Sequence, residues 1–231
     1  MKPEKEYRSY VNYFKKWEGA GITGLSMAAV GFLFLWVGFS FASYIIAIVL
    51  MAAGLVLFFY GNVGRAHEND LQNQIDRAMS AIEFKELEED SRHFFRRVPK
   101  ELTPREFGGY AMRDGLLVKK KKNGSLCSSE YTCAKMLFLS DAFYIKTSTF
   151  SFISPEKSKE TYEIPFSAVE DVTVEREHFQ LTCGKNTFLA KPCHLCIFYD
   201  GGKALRLPAP DDIYTDDFVA EIKRKHLTSL K

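Results

Sequence analysis

Residues 19–64 contain no Asp, Glu, Lys or Arg, while the chain on either side is richly charged. A hydrocarbon core about 30 Å thick is crossed by roughly 20 residues of helix, so this run is long enough to cross twice. The break falls at Gly38-Phe39-Ser40-Phe41-Ala42-Ser43, with spans near Ala20–Val37 and Ser43–Tyr60. A secretory signal is the competing reading of the first span. Its apolar region is shorter, however, and does not run directly into a second apolar segment.

The flanks set the expected orientation. Lys2, Lys5, Arg8, Lys15 and Lys16 precede the first span, Arg65 follows the second, and the tip between them is uncharged. Lys and Arg are retained on the cytoplasmic side, which predicts an integral, two-pass membrane protein with both termini cytoplasmic. Neither span holds an ionisable side chain, which argues against an ion or proton pathway through this chain alone. A net charge of +2 gives no electrostatic footprint for nucleic acid.

Before the first span, Tyr7, Tyr10, Val11, Phe14 and Trp17 recur at helical spacing, which predicts an interfacial segment with aromatic rings against lipid. Within the spans, Ala20, Gly24 and Ala28 share one side of the first helix. Ser43, Ala47, Gly54 and Gly61 share one side of the second. Small residues let helix backbones approach closely, and a tight tip directs that packing within the hairpin in preference to a dimer.

Beyond Arg65 the residues Leu71, Ile75, Ala78, Met79 and Ile82 keep an amphipathic period. The stripe is too short for a dimerising coiled coil and predicts packing on the protein's own soluble part. Arg92, Arg96, Arg97 and Lys100, interleaved with Phe94 and Phe95, run to Pro99 and Pro104, a domain boundary. The chain is thus expected to comprise an interfacial segment (1–18), a transmembrane hairpin (19–64), a helical connector (65–104) and a soluble domain (105–231).

After Phe107-Gly108-Gly109 the pattern turns to short apolar or alternating runs between turn residues, which is β structure. Strands are expected at 115–121, 125–139, 142–148, 160–164, 169–177, 188–199 and 204–207. Asn123-Gly124, Ser140-Asp141, Cys183-Gly184 and Asp200-Gly201-Gly202 separate them, Asn-Gly being the strongest hairpin signal. Thr215 can cap a final helix that buries Phe218, Val219 and Ile222 and ends near Lys223, Arg224 and Lys225. The expected fold is α+β, about seven antiparallel strands closed by a C-terminal helix.

That arrangement resembles the pleckstrin-homology superfold. The runs Met136-Leu137-Phe138-Leu139-Ser140-Asp141-Ala142-Phe143-Tyr144-Ile145 and Tyr162-Glu163-Ile164-Pro165-Phe166-Ser167-Ala168-Val169-Glu170-Asp171-Val172 are similar to those of bacterial and GRAM-like relatives. The resemblance spans roughly Gly108 to Leu230 and reports fold, not ligand. It implies a binding or scaffolding module, tethered by its hairpin in a plasma (inner) membrane, with no catalytic residues and no cofactor to carry over. The expected partners are the lipid bilayer and another membrane or cytoplasmic protein. An accessory subunit of a larger membrane assembly is the alternative.

Several other groups carry possible chemistry. Cys193-His194-Leu195-Cys196 has zinc-ligand spacing, with Cys183 ten residues earlier, but positions three apart in a strand face opposite sides and no second pair completes a tetrahedral set. Five cysteines, odd in number, read as reduced cytoplasmic thiols. A thiol paired with His178 or His194, or a carboxylate pair at Asp211 and Asp212, is an enzyme reading by inventory alone. Asn123-Gly124-Ser125 matches a glycosylation sequon, and its turn chemistry is sufficient explanation. Lys119, Lys120, Lys121 and Lys122 lead into that turn. Such a run is ordinarily a solvated face that protects a strand edge, and the pleckstrin-homology resemblance places it where lipid-binding members meet acidic headgroups.

Overall fold

The computed structural model describes residues 4–16, 19–37, 40–84, 104–183 and 186–224. The chain divides into two compact units, Met1–His67 and Glu68–Lys231.

The first unit is helical: α1 (Glu4–Lys15), α2 (Ala20–Val37) and α3 (Phe41–Asn62). Helices α2 and α3 have 18 and 22 residues, about 27 and 33 Å at a helix rise of about 1.5 Å, and both are long and apolar enough to cross a membrane. Ser40 caps α3, its side chain accepting a hydrogen bond from the Ser43 amide. The pair is antiparallel and backbone-close. A Cβ on Gly54 would lie 2.5 Å from the Ala28 amide nitrogen and 2.6 Å from the Gly24 carbonyl oxygen. Ala20, Gly24, Ala47, Gly54 and Gly61 are buried in this seam, and Ala28 is half-buried against Gly54. Large apolar side chains such as Ile22, Trp36, Ile45 and Val56 point outward.

Helix α1 departs from the interfacial expectation. Tyr10 and Tyr13 are buried, Tyr13 to 1% exposure, because α1 packs on the end of α3 and the turn that follows. The Asn12 amide donates to Gly64 O (2.8 Å), Lys16 Nζ donates to Tyr60 O (2.8 Å), and the Arg65 guanidinium sits over the Tyr13 ring. A lysine on the last carbonyls of α3 satisfies acceptors that the helix itself leaves open. Tyr10 is therefore a protein contact, not a lipid contact. Tyr7 and Phe14 are half-buried, and Trp17 lies outside the described residues.

The second unit contains α4 (Glu68–Ser80), eleven strands among the described residues, and α5 (Ile213–Ile222). A four-stranded sheet has the order β1 (Arg105–Tyr110), β4 (Glu130–Phe138), β5 (Ala142–Ser151), β6 (Lys157–Pro165). A three-stranded sheet has the order β11 (Lys203–Pro208), β10 (Cys193–Tyr199), β7 (Val169–Arg176). Two further hairpins, β2 (Val118–Lys120) with β3 (Leu126–Ser128) and β8 (Phe179–Cys183) with β9 (Asn186–Ala190), are inserted between β1 and β4 and between β7 and β10. All pairings are antiparallel.

The main core lies between the two sheets. Met136, Phe143, Ile145 and Ile164 from the first meet Val172, Leu195, Ile197 and Leu207 from the second, closed by Val219 and Ile222 of α5. Burial along β4 is nearly continuous, as in a sheet covered on both faces. The second cover is α4, which packs on β4 with Leu71 and Ile75 buried, and Phe84 beyond it stacks on Tyr144. The basic-aromatic stretch ending at Pro99 lies outside the described residues.

Eleven strands replace the expected seven for local reasons. The expected 125–139 strand breaks at Ser129, whose amide and hydroxyl both bond the Leu117 backbone, so the chain leaves β3 and enters the larger sheet. The expected 188–199 strand breaks at Lys191-Pro192, because proline cannot donate to a ladder. Strand β1 uses the glycines read as a boundary: a Cβ on Gly109 would lie 2.8 Å from the Pro208 side chain. Asp212, not Thr215, caps α5, accepting from the Thr215 amide at 2.9 Å.

Candidate functional site

The β2–β3 turn is a three-residue loop, not the two-residue form that Asn-Gly favours. Lys121 N bonds Ser125 O, Asn123 Oδ1 accepts from the Ser125 amide and hydroxyl, and only Gly124 takes positive φ (89°). This geometry separates the four lysines. Lys119 is buried at 8% exposure in β2, and Lys121 lays its ammonium 4.7 Å from the centre of the Tyr110 ring. Lys120 and Lys122 are exposed, and neither side chain has an acidic partner among the described residues. The run thus presents two cations, not four, because strand alternation and the Tyr110 ring take up the others. The Lys122 amide donates to Glu68 Oε1 (3.2 Å), fastening the turn to the start of α4.

The two inserted hairpins pack on each other as a small lobe. Val118, Leu181 and Ala190 form its buried centre, with Met112, Leu126 and Phe188 around them. Between this lobe and the edge of the three-stranded sheet at Pro192, His194 and Pro208 runs a cleft of about 360 Å³. Its walls are chiefly apolar, with Leu126 on one side and Leu189, 58% exposed, on the other. Lys191 lies on its rim, and Tyr110, Ser125 and His194 also line it. The one carboxylate of the cleft, Asp211, is held by Arg176 Nε at 2.7 Å. Burial lowers the His194 pKa, which favours a neutral ring, and its Nδ1 is buried without a partner among the described residues.

A second, smaller recess of about 230 Å³ opens at the polar end of the four-stranded sheet's inner face. Thr132 and Thr149 hydrogen-bond there at 2.9 Å, and the Tyr162 hydroxyl donates to Glu160. Burial and that acceptor push the tyrosine up to about 12.

The cysteines do not converge. The ladder is regular from Cys193 to Cys196, so Cys193 points with Leu195 to the core side and Cys196 points with His194 to the other. Cys183 belongs to the lobe, beside Leu181 and Phe188. None of the five cysteines forms a disulfide, and burial pushes Cys133 up to about 11 and Cys196 up to about 12, the reverse of what activates a nucleophile. Among the described residues no cluster of three His, Cys, Asp or Glu is placed to hold a metal ion. His178 lies between β7 and β8. Asp211 and Asp212 are occupied by Arg176 and by the cap of α5.

Sequence reasoning missed the cleft because its walls come from four separate segments. Leu189 and Lys191 read simply as part of one long strand. The detectable signal was Lys191-Pro192, a strand breaker that frees β9 to join β8. Comparisons with known protein families, curated proteins and solved structures find no match for the chain.

Proposed function

We propose that this chain is a membrane-tethered interaction module of the pleckstrin-homology kind, presenting its β2–β3 hairpin at the cytoplasmic face of a bilayer. The observation that carries the reading is the pairing of two outward-apolar helices with a separately cored β unit whose turn holds two unpaired, exposed lysines. The fold assignment is supported by connectivity. With the two inserted hairpins set aside, four strands in meander order, three more in meander order and a closing helix are the pleckstrin-homology sequence of elements. Orientation is supported by the basic residues that flank the hairpin. The small-residue seams are occupied within the hairpin, which favours the module over an accessory subunit held by helix packing.

Near an anionic leaflet each exposed lysine contributes roughly 1 kcal/mol, and the tether keeps the turn at high effective concentration. The fragment Glu68–Lys231 should therefore sediment with phosphatidylserine vesicles at low salt and release as salt rises. Changing Lys120 and Lys122 together to Gln should weaken binding by about 30-fold. Lys119→Gln should leave binding unchanged, since that side chain does not reach the surface. Equal binding to neutral vesicles, or no effect of the double change, would refute the lipid-facing role.

A further inference from the structure

We propose that the recess at the polar end of the four-stranded sheet's inner face binds a small primary amine, its ammonium group on the Glu160 carboxylate and the threonine hydroxyls beside it. None of the lysines of the β2–β3 turn lines this recess, so the site is separate from the lipid-facing role given to that turn.

Strand alternation builds the site. Inward-facing Met136, Ile145 and Ile164 belong to the core, and the inward positions farther along β4, β5 and β6 are Thr132, Thr147, Thr149 and Glu160. Register makes these four neighbours, since Thr132 pairs with Thr149 and Thr147 pairs with Glu160. The Thr132 and Thr149 hydroxyls share one hydrogen bond of 2.9 Å, which leaves oxygen lone pairs able to accept from an N–H. Glu160 is exposed at the mouth, accepts from the Tyr162 hydroxyl, and has no ion-pair partner among the described residues. Lys157 and Lys159 on its own strand, and Lys146 on β5, occupy positions of the opposite parity and face the other side of the sheet. Arg206 is the one fixed cation among the described residues that line the recess, and Glu175 (3.0 Å) and Glu177 (3.3 Å) draw it away.

A carboxylate with spare acceptor capacity beside hydroxyl oxygens matches an ammonium group, which donates up to three hydrogen bonds and carries the opposite charge. A divalent metal needs about six oxygen ligands or more, whereas this recess offers one carboxylate. A quaternary ammonium has no N–H for the hydroxyls. The volume of about 230 Å³ lies below the range of drug-sized ligand sites, which limits the occupant to a short amine. That chemistry is met in a free amine or in the ethanolamine head of a phospholipid.

The test uses the full chain in phosphatidylcholine nanodiscs, with its threonine methyl groups labelled for NMR and ethanolamine as the probe. Saturable shifts are expected at the methyls of Thr132, Thr147 and Thr149, and none at Thr23 in α2 or Thr187 in β9. Choline, which lacks the N–H donors, and ethylene glycol, which lacks the charge, should each bind about tenfold more weakly or worse, the worth of one charge-assisted hydrogen bond. Glu160→Gln should weaken ethanolamine by a similar factor while the Thr23 and Thr187 signals keep their positions. Changing Lys120 and Lys122 together to Gln should leave ethanolamine binding as it was, which separates this site from the lipid-facing turn. Discs containing phosphatidylethanolamine distinguish the two sources. Shifts at the same methyls before any amine is added assign the lipid head, and shifts only on addition assign a free amine. No saturable shift from either source, equal binding of choline or ethylene glycol, or undiminished binding by Glu160→Gln would overturn the proposal.

Discussion

Gly54→Val is expected to break the helical hairpin, lowering the thermal midpoint of the detergent-solubilised chain and the yield of membrane-inserted protein. The reason is backbone proximity. The first side-chain carbon at position 54 would sit 2.5 Å from the Ala28 nitrogen, and one at Gly24 would sit 2.5 Å from the Gly54 oxygen. Neither neighbour is a flexible side-chain end that can swing aside, so the helices must separate along the seam. Alanine at either position should cost about 1–3 kcal/mol as overpacking, and valine should exceed it. In lipid no hydrophobic drive compensates for a lost close contact. Ile22→Leu and Val56→Leu, on outward-facing positions, should stay within about 0.5 kcal/mol. A Gly54→Val chain as stable as these controls would mean that α2 and α3 do not approach as described.

The second large effect concerns α4. A fragment beginning at Glu68 should fold and stay monomeric, whereas one beginning at Arg105 should aggregate. Without α4 the four-stranded sheet loses the cover on its outer side, where Cys133, Leu137, Tyr144 and Phe150 are now buried. An uncovered apolar sheet face of that extent is an association surface. The point change that mimics the deletion is Leu71→Ala, at a side chain 1% exposed, expected to cost about 2–4 kcal/mol in urea unfolding of the longer fragment. Equal solubility and equal midpoints for the two fragments would show that α4 is a spacer and not part of the fold.

The same helix marks how far the sequence was legible. Leu71 and Ile75 recur at helical spacing, and that periodicity alone places them on a buried face. What it does not carry is the address, because a helical stripe fits any apolar surface of the right width. The two long apolar helices were legible to within two residues because an uncharged apolar run carries its signal at every position, so that signal accumulates over the whole length. The β unit was legible in its long strands, where alternation is sampled several times. It was misread at Ser129 and Pro192, where one residue redirects the chain and the apolar run continues on both sides. Gly108 and Gly109 misled in the opposite sense. Glycine usually signals a turn, and here it makes room for Tyr131 and Pro208 within a strand.

The lysine run shows the limit for sites. Composition gives four adjacent cations, but whether each reaches solvent depends on strand parity and on an aromatic ring eleven residues earlier in the sequence, Tyr110 beside Lys121. The cleft is harder still, since Leu126, Leu189, Lys191 and Pro208 meet only through the packing of two inserted hairpins. No local pattern announces such a meeting.

The proposed tether holds the β unit on the cytoplasmic side of the membrane, which reporter fusions test directly. A reporter enzyme active only outside the cytoplasm is fused in one chain after Lys231 and in another between Ser40 and Ala42, with both chains confirmed in the membrane fraction. A silent reporter after Lys231 and an active one at the tip are expected, because flanking Lys and Arg are retained inside. An active reporter after Lys231 with a silent one at the tip would contradict the orientation, and a silent reporter at both would contradict the crossing.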